Sequence, residues 1–193
     1  AVVENYPPQV TRLLMNSLGT HDTERAITLL AGEPSHGRGR SWQAQQSLTP
    51  EQRERGKRML RAAAALQYCL PGVPCIYYGD ETGMEGYRDP FNRCCYPWDE
   101  QDESLIAWFA ALGAMRAEHT VLREGSFIPH PSIDGVVAFE RRDGEQRLLC
   151  VVSCRDSEAM ITLPSGEWRT AVGERRTVSG TVSLKPFETA ILF

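Results

Sequence analysis

Apolar and polar positions follow one rhythm up to about residue 125 and another after it. The run Val10–Leu18 reads as a short buried strand, followed by a polar turn and a short helix near Thr23–Leu30. The stretch Gly32–Ser47, punctuated by Gly32, Pro34, Gly37 and Gly39, reads as loop. Thr49 is a natural helix N-cap, Pro50 suits the first helical position, and Glu51 and Gln52 complete a capping-box-like first turn. That helix runs through Met59, Leu60, Ala63, Ala64 and Leu66 until Pro71-Gly72 stops it, and Val73–Tyr78 follows as a second short buried strand. A loop over Gly79–Asp99 leads to Leu105, Trp108, Phe109, Leu112 and Met115, the spacing of an amphipathic helix. Strand, helix, strand, helix is the rhythm of a parallel sheet covered by helices, although two such units alone cannot close a barrel.

From Gly125 onward the helical period gives way to short alternating runs. These are Val136–Arg141, Leu148–Cys154, Ala159–Leu163, Trp168–Val172, Thr181–Leu184 and Thr189–Phe193. Arg142-Asp143-Gly144 and Pro164-Ser165-Gly166 read as hairpin turns. The expectation is α/β for residues 1–124 and an antiparallel β-sandwich, able to stand as an independent domain, for residues 125–193.

Composition adds exclusions. The 193 residues carry 21 Lys+Arg against 25 Asp+Glu, a net charge of −4, with 41% hydrophobic and 24% charged residues. That is globular composition, with no basic stripe to recruit a nucleic acid and no apolar run of the ~20 residues that a membrane helix needs. The chain opens Ala1-Val2-Val3-Glu4-Asn5, without Met or a secretory leader, so the expectation is a piece of something longer. The six cysteines, at 69, 75, 94, 95, 150 and 154, lack the C-x-x-C spacing of a zinc site. Cys150 and Cys154 share strand parity with Leu148 and Val152, so buried core thiols and a reducing, cytoplasmic setting are expected.

Three polar clusters hold the candidate chemistry. Asn16 to Arg25 (N-S-L-G-T-H-D-T-E-R) begins at the C-terminal end of the first strand, where βα proteins collect function. Gly19 would let the chain turn sharply and present His21 and Asp22 together, an imidazole and a carboxylate suited to a polyhydroxylated ligand. The other reading is that Asp22 or Thr23 caps the next helix. In the second cluster, Tyr77 to Met84, Asp80 and Glu81 point opposite ways on extended backbone. They make a poor acid/base pair and would hold the loop through backbone and Arg contacts instead. The third cluster, Asp89-Pro90-Phe91-Asn92-Arg93 followed by Tyr96-Pro97-Trp98, is either the rim of a sugar site or a solvated turn. No nucleophile elbow or phosphate loop is present.

Taken together and in order, these clusters resemble the α-amylase family of glycoside hydrolases. The Gly19-Thr20-His21-Asp22 form, with Asp89-Pro90-x-x-Arg93 and Pro97-Trp98, is similar to its cyclomaltodextrinase, neopullulanase and maltogenic amylase branch. Pro71 to Met84 resembles that family's signature around the eighth barrel strand, and Lys185-Pro186-Phe187-Glu188-Thr189-Ala190 resembles the end of its C-terminal domain. The resemblance implies the C-terminal part of a (β/α)₈ TIM barrel, with its last two βα units in residues 1–124, followed by the β-sandwich. It implies a retaining enzyme acting on α-1,4-glucans, namely maltooligosaccharides, cyclodextrins or pullulan.

By the same resemblance, Asp22 is the third catalytic carboxylate, the transition-state stabiliser. His21 contacts the same sugar, and Asp89 and Arg93 hold its neighbour. The nucleophilic Asp and acid/base Glu would lie on earlier strands, so this chain alone is expected to be inactive. No cofactor or metal is implied. The partner is an α-glucan oligosaccharide, without nucleic acid or membrane, and exposed barrel edges imply self-association. A non-catalytic α-glucan-binding module, or an α-glucosidase or glucosyltransferase relative, is the alternative reading.

Overall fold

The computed structural model describes residues 2–131 and 133–193. Two helical turns, α1 (Val2–Asn5) and α2 (Pro8–Thr11), precede strand β1 (Met15–Ser17). Helices α3 (Ala26–Ala31), α4 (Arg40–Gln43) and α5 (Pro50–Cys69) follow, then β2 (Val73–Cys75), α6 (Glu103–Glu118) and α7 (Val121–Glu124). The two strands pair in parallel, Met15 opposite Val73 and Ser17 opposite Cys75.

Helix α5 begins as its sequence dictates. The Gln52 N–H donates to Thr49 Oγ1 at 3.2 Å, and the Thr49 N–H donates back to Gln52 Oε1 at 2.9 Å. Gln52 thus completes the capping box and Glu51 does not. Gly56 sits in mid-helix because a Cβ there would stand 2.8 Å from Ile27 and 3.0 Å from Ala31, so its absence lets α3 pack close. In α6 the expected stripe holds, with Leu105, Phe109, Leu112 and Met115 buried and Trp108 half-buried.

The strands depart from expectation. Pro7-Pro8 starts a helical turn that takes Val10 and Thr11 out of the strand expected over Val10–Leu18. The strand expected over Val73–Tyr78 ends at Cys75. Neither is buried, with Leu13 78%, Met15 74% and Val73 47% exposed. A two-stranded sheet leaves one edge and one face of each strand without a neighbour. Polar ties fix the pair instead. Gln67 Nε2 of α5 donates to Asn16 O at 2.7 Å and Cys75 O at 2.8 Å, while Asn16 Nδ2 donates to Pro71 O at 3.0 Å. The loop expected over Gly32–Ser47 contains the short α4.

After α7 come β3 (Ser126–Pro129), β4 (Val136–Asp143), β5 (Gln146–Ser153), β6 (Ala159–Thr162) and β7 (Trp168–Arg169), then β8 (Thr177–Val178), β9 (Thr181–Leu184) and β10 (Thr189–Leu192). Four strands form an antiparallel sheet in the order β10-β5-β4-β3. The β4–β5 hairpin turns at Gly144-Glu145, with Gly144 at φ 56°, next to the expected position. Pro164-Ser165-Gly166 is no hairpin turn, because β6 pairs with β9 and β7 with β8.

Both faces of β5 are buried. Leu148, Cys150 and Val152, with Phe139 and Ile191, pack in one cluster with Leu60, Leu112 and Leu122 from the helices. Leu149 and Val151 face the other way into a cluster with Trp168, Ile161, Leu184 and Leu192. The helices cover one side of its main sheet, while β6, β7 and β9 cover the other and close a second core within the β half. Arg141, 1% exposed, fastens the junction by donating to Cys69 O at 2.9 Å, Leu122 O at 2.8 Å and Gly125 O at 2.8 Å. Burial pushes its pKa down to about 10.

All six cysteines are free. Cys69 and Cys150 are buried, and their mutual hydrogen bond, together with burial, raises the Cys150 thiol pKa well above its usual value. Cys154 lies past the end of β5 and is exposed, as are Cys94 and Cys95, so the expected core thiol fails at those positions. Among the described residues no helix is long and apolar enough to cross a membrane.

Candidate functional site

The C-terminal ends of β1 and β2 each open into a polar loop, and the two loops lock together. Asn92, fully buried, donates through Nδ2 to His21 O at 2.8 Å and Thr23 O at 2.6 Å. Arg93 Nε donates to His21 O at 3.1 Å and lies 3.2 Å from Asp89 Oδ1, while Arg93 Nη2 lies 3.7 Å from Asp22 Oδ1. His21 Nε2 is 3.3 Å from Asp22 Oδ2. His21, Asp22, Asp89 and Arg93 thus form one cluster although about 70 residues separate the two loops. Neither Asp22 nor Thr23 caps a helix: α3 starts after Arg25 without a side-chain cap, and Thr23 Oγ1 accepts instead from the Thr20 N–H at 2.9 Å.

The four side chains are open to solvent, from 44% for Arg93 to 74% for Asp22. Exposed ion pairs contribute about 0–1 kcal/mol, so the fold gains little from gathering them there. What the arrangement offers is a carboxylate pair bridged by one guanidinium, with an imidazole beside it. These are donors and acceptors spaced for hydroxyl groups. Asp22 also borders a cleft of about 860 Å³ that runs past Glu24, Glu33, His36, Arg38 and Arg88.

Beneath the cluster lies a rigid support. Arg25 is fully buried, its guanidinium 4.3 Å from the Tyr77 ring centroid and 4.5 Å from that of Tyr78. Its Nη1 donates to Tyr78 O and stands 3.6 Å from Asp80 Oδ1. Burial raises the Asp80 pKa to about 6 against the opposing pull of Arg25. Glu81 turns away to accept the Gly79 N–H at 2.9 Å. The two adjacent carboxylates serve separate structural contacts, although they stand in a 3₁₀ turn, Asp80–Thr82, and not on the extended backbone expected. Gly19 has no positive φ; a Cβ there would stand 2.5 Å from Asp80 Oδ2, so the residue permits close approach of the loop and does not make a sharp turn.

The sequence points to His21, Asp22, Asp89 and Arg93 but carries no local signal for Arg25 or Asn92. Their roles arise only when the two loops meet. The Tyr96 and Trp98 rings meet at 4.7 Å between centroids, tilted by 55°, with Trp98 75% exposed. The Tyr78 hydroxyl donates to Cys94 O at 2.8 Å, tying this segment to the strand end. Among the described residues no group of three or more His, Cys, Asp or Glu side chains is arranged to hold a metal ion.

Parallel strands with a polar cluster at their C-terminal ends, backed by an antiparallel β half, define an enzyme-like α/β protein. No family model matches the sequence. The chain is 35% identical over 167 residues to an amylopullulanase of Thermoanaerobacter thermohydrosulfuricus, covering 86% of this chain and 11% of that protein. It is 31% identical over 152 residues to a cyclomaltodextrinase of a Bacillus species, covering 77% of this chain and 23% of the relative. Among solved structures, the cyclic α-maltosyl-(1→6)-maltose hydrolase of Arthrobacter globiformis, in complex with cyclic α-maltosyl-(1→6)-maltose, aligns with TM-score 0.73 and 25% identity over 99% of this chain and 37% of that one. An Anoxybacillus α-amylase shares the fold with TM-score 0.75 at 23% identity, over 94% of this chain and 38% of that one. The chain belongs to the α-amylase family of glycoside hydrolases. It spans well under half the length of each of these relatives.

Proposed function

We propose that the chain is the C-terminal portion of a retaining α-glycosidase that acts on α-1,4-glucans, such as maltooligosaccharides, cyclodextrins or pullulan. Residues 1–124 supply the last two βα units of its barrel, and residues 125–193 supply its C-terminal β-sandwich domain. The observation that carries this reading is the joining of Asp22 and His21 to Asp89 and Arg93 through Asn92 and the Arg93 guanidinium.

In this reading Asp22 accepts hydrogen bonds from the hydroxyls of the sugar at the cleavage point and stabilises the positive charge that develops on its ring. The His21 ring donates to the same sugar, while Asp89 and Arg93 grip the next one. A retaining mechanism also needs a nucleophile and an acid/base carboxylate about 5–5.5 Å apart. Neither role is assigned to a residue of this chain. The six free cysteines support a reducing, cytoplasmic home as part of the same proposal.

The test is hydrolysis of maltotriose followed by release of reducing ends. In a protein that also carries the nucleophile and acid/base residues, Asp22→Asn should lower kcat by about 10²–10³. Its fold should be unchanged, because the side chain is exposed. Arg93→Lys should act mainly on KM. The 193-residue chain alone should release nothing. Turnover by that chain, or an unchanged kcat in Asp22→Asn, overturns the proposal.

A further inference from the structure

A second pocket, sharing no residue with the candidate site, lies where α5 and α6 meet the β9–β10 turn. It encloses about 300 Å³ between Arg58, Arg61, Trp108, Lys185 and Phe187, with Glu188 on the turn. Its cations differ in what already occupies them. Arg55, next to it, is spent in a two-pronged bond to Asp156, at 3.2 and 3.0 Å. Arg61 Nη2 donates to Ser104 Oγ at 2.7 Å, which leaves its remaining N–H groups available. Among the described residues, neither Arg58 nor Lys185 has a carboxylate within ion-pair distance. The one carboxylate on the turn, Glu188, is directed to the Lys185 backbone N–H at 2.7 Å.

The turn is also fixed in an unusual conformation. Phe187 is buried at φ 58°, a region that bulky side chains rarely adopt. With the Glu188 bond, this holds Lys185 at the mouth of the pocket. Trp108 is fixed too, since its indole N–H donates to Arg61 O at 3.1 Å. The result is a pocket lined by two cations without carboxylate partners, a third with spare donors, and the rings of Trp108 and Phe187, the latter also met by the Arg55 guanidinium at 5.3 Å.

We propose that this pocket binds a small phosphate monoester with a sugar or nucleoside body. Arg58 and Lys185 match the charge of about −2 on such a phosphate, Arg61 adds directed N–H donors, and Trp108 and Phe187 line the space for the body. The pocket stands at the lower end of the ~300–1,000 Å³ usual for small-molecule sites, a size that suits a small ester such as a sugar or nucleoside monophosphate. The proposal does not depend on the function assigned to the strand-end site.

Titration of the chain by calorimetry tests it, with glucose 6-phosphate and adenosine monophosphate as two arms and maltose as the uncharged control. Saturable binding of at least one ester is expected, and the arms tell a sugar body from a nucleoside one. Binding should weaken tenfold or more in the double variant Arg58→Gln/Lys185→Gln, whose side chains are exposed and whose folding is checked by an unchanged thermal melt. It should persist in Asp22→Asn, which separates this pocket from the strand-end site. Three results would overturn the proposal: no binding of either ester, ester binding unchanged in the double variant, or maltose binding that the double variant abolishes.

Discussion

Strands β1 and β5 differ both in apolar content, one residue in three against five in eight, and in fate. In β5 every residue from Leu148 to Ser153 is buried, because helices cover one face and a second layer of strands covers the other. In β1, Met15 is 74% exposed and its neighbour Leu13 78%. Apolar side chains stand in or beside both strands, but their burial depended on what lay across from them. The chain therefore has a firm interior, running from α5 and α6 through β4, β5 and β10, and a lightly held strand pair at its edge. The candidate site sits on the lightly held side, where Asn92, Arg25 and Gln67 supply by hydrogen bonding what packing supplies elsewhere.

The sharpest way to break this contrast is to cut into the firm side. Leu148→Ala should destabilise the chain by about 2–5 kcal/mol in urea unfolding, since its site is sealed by both helices and strands. A loss below 1 kcal/mol would mean that the helix–sheet junction is as loose as the strand pair. The next effect is that of pH on the site's support. Folding raises the Asp80 pKa from its usual 3.8 to about 6, so the folded state holds a proton there that the unfolded chain releases. Stability should then fall by about 1–3 kcal/mol as pH rises from 4 through 6, and level off above that. Thermal melts across this range should show the slope in the parent and lose it in Asp80→Asn; a slope that persists places the titration elsewhere. The smallest effect sharpens the comparison from the other side. Met15→Ser should change stability by no more than about 0.5 kcal/mol, because nothing packs on that face. It should also reduce the self-association that exposed strand edges invite, read as a lower mass in light scattering.

How legible the molecule was follows the same division. Helix α5 was readable from Thr49, Pro50 and Gln52 because capping is local, and α6 from its stripe because one helix face meets one core. The β4–β5 hairpin was readable from Asp143-Gly144. The pairing of β6 with β9 and of β7 with β8 was not, since partners separated by such loops are chosen by the shared core around Trp168. At the candidate site, His21, Asp22, Asp89 and Arg93 stood out by type and order. Asn92 and Arg25 did not, because an amide bonding two carbonyls of a distant loop, and a guanidinium lying against two tyrosine rings, leave no periodic trace. Gly19 stands out in the sequence as a turn residue, but in the structure its smallness accommodates Asp80.

The interlocked packing of β5 against α5 and α6 limits how this protein can be recombined. A crossover placed at Gly125, the point where the sequence changes character, would separate Phe139, Leu148 and Ile191 from the helical side chains shaped to receive them, and Arg141 from the carbonyls of Cys69 and Leu122. Chimaeras between relatives would have to inherit α5, α6 and the four-stranded sheet from the same parent. The unit of inheritance is thus this helix–sheet block, which straddles the visible seam.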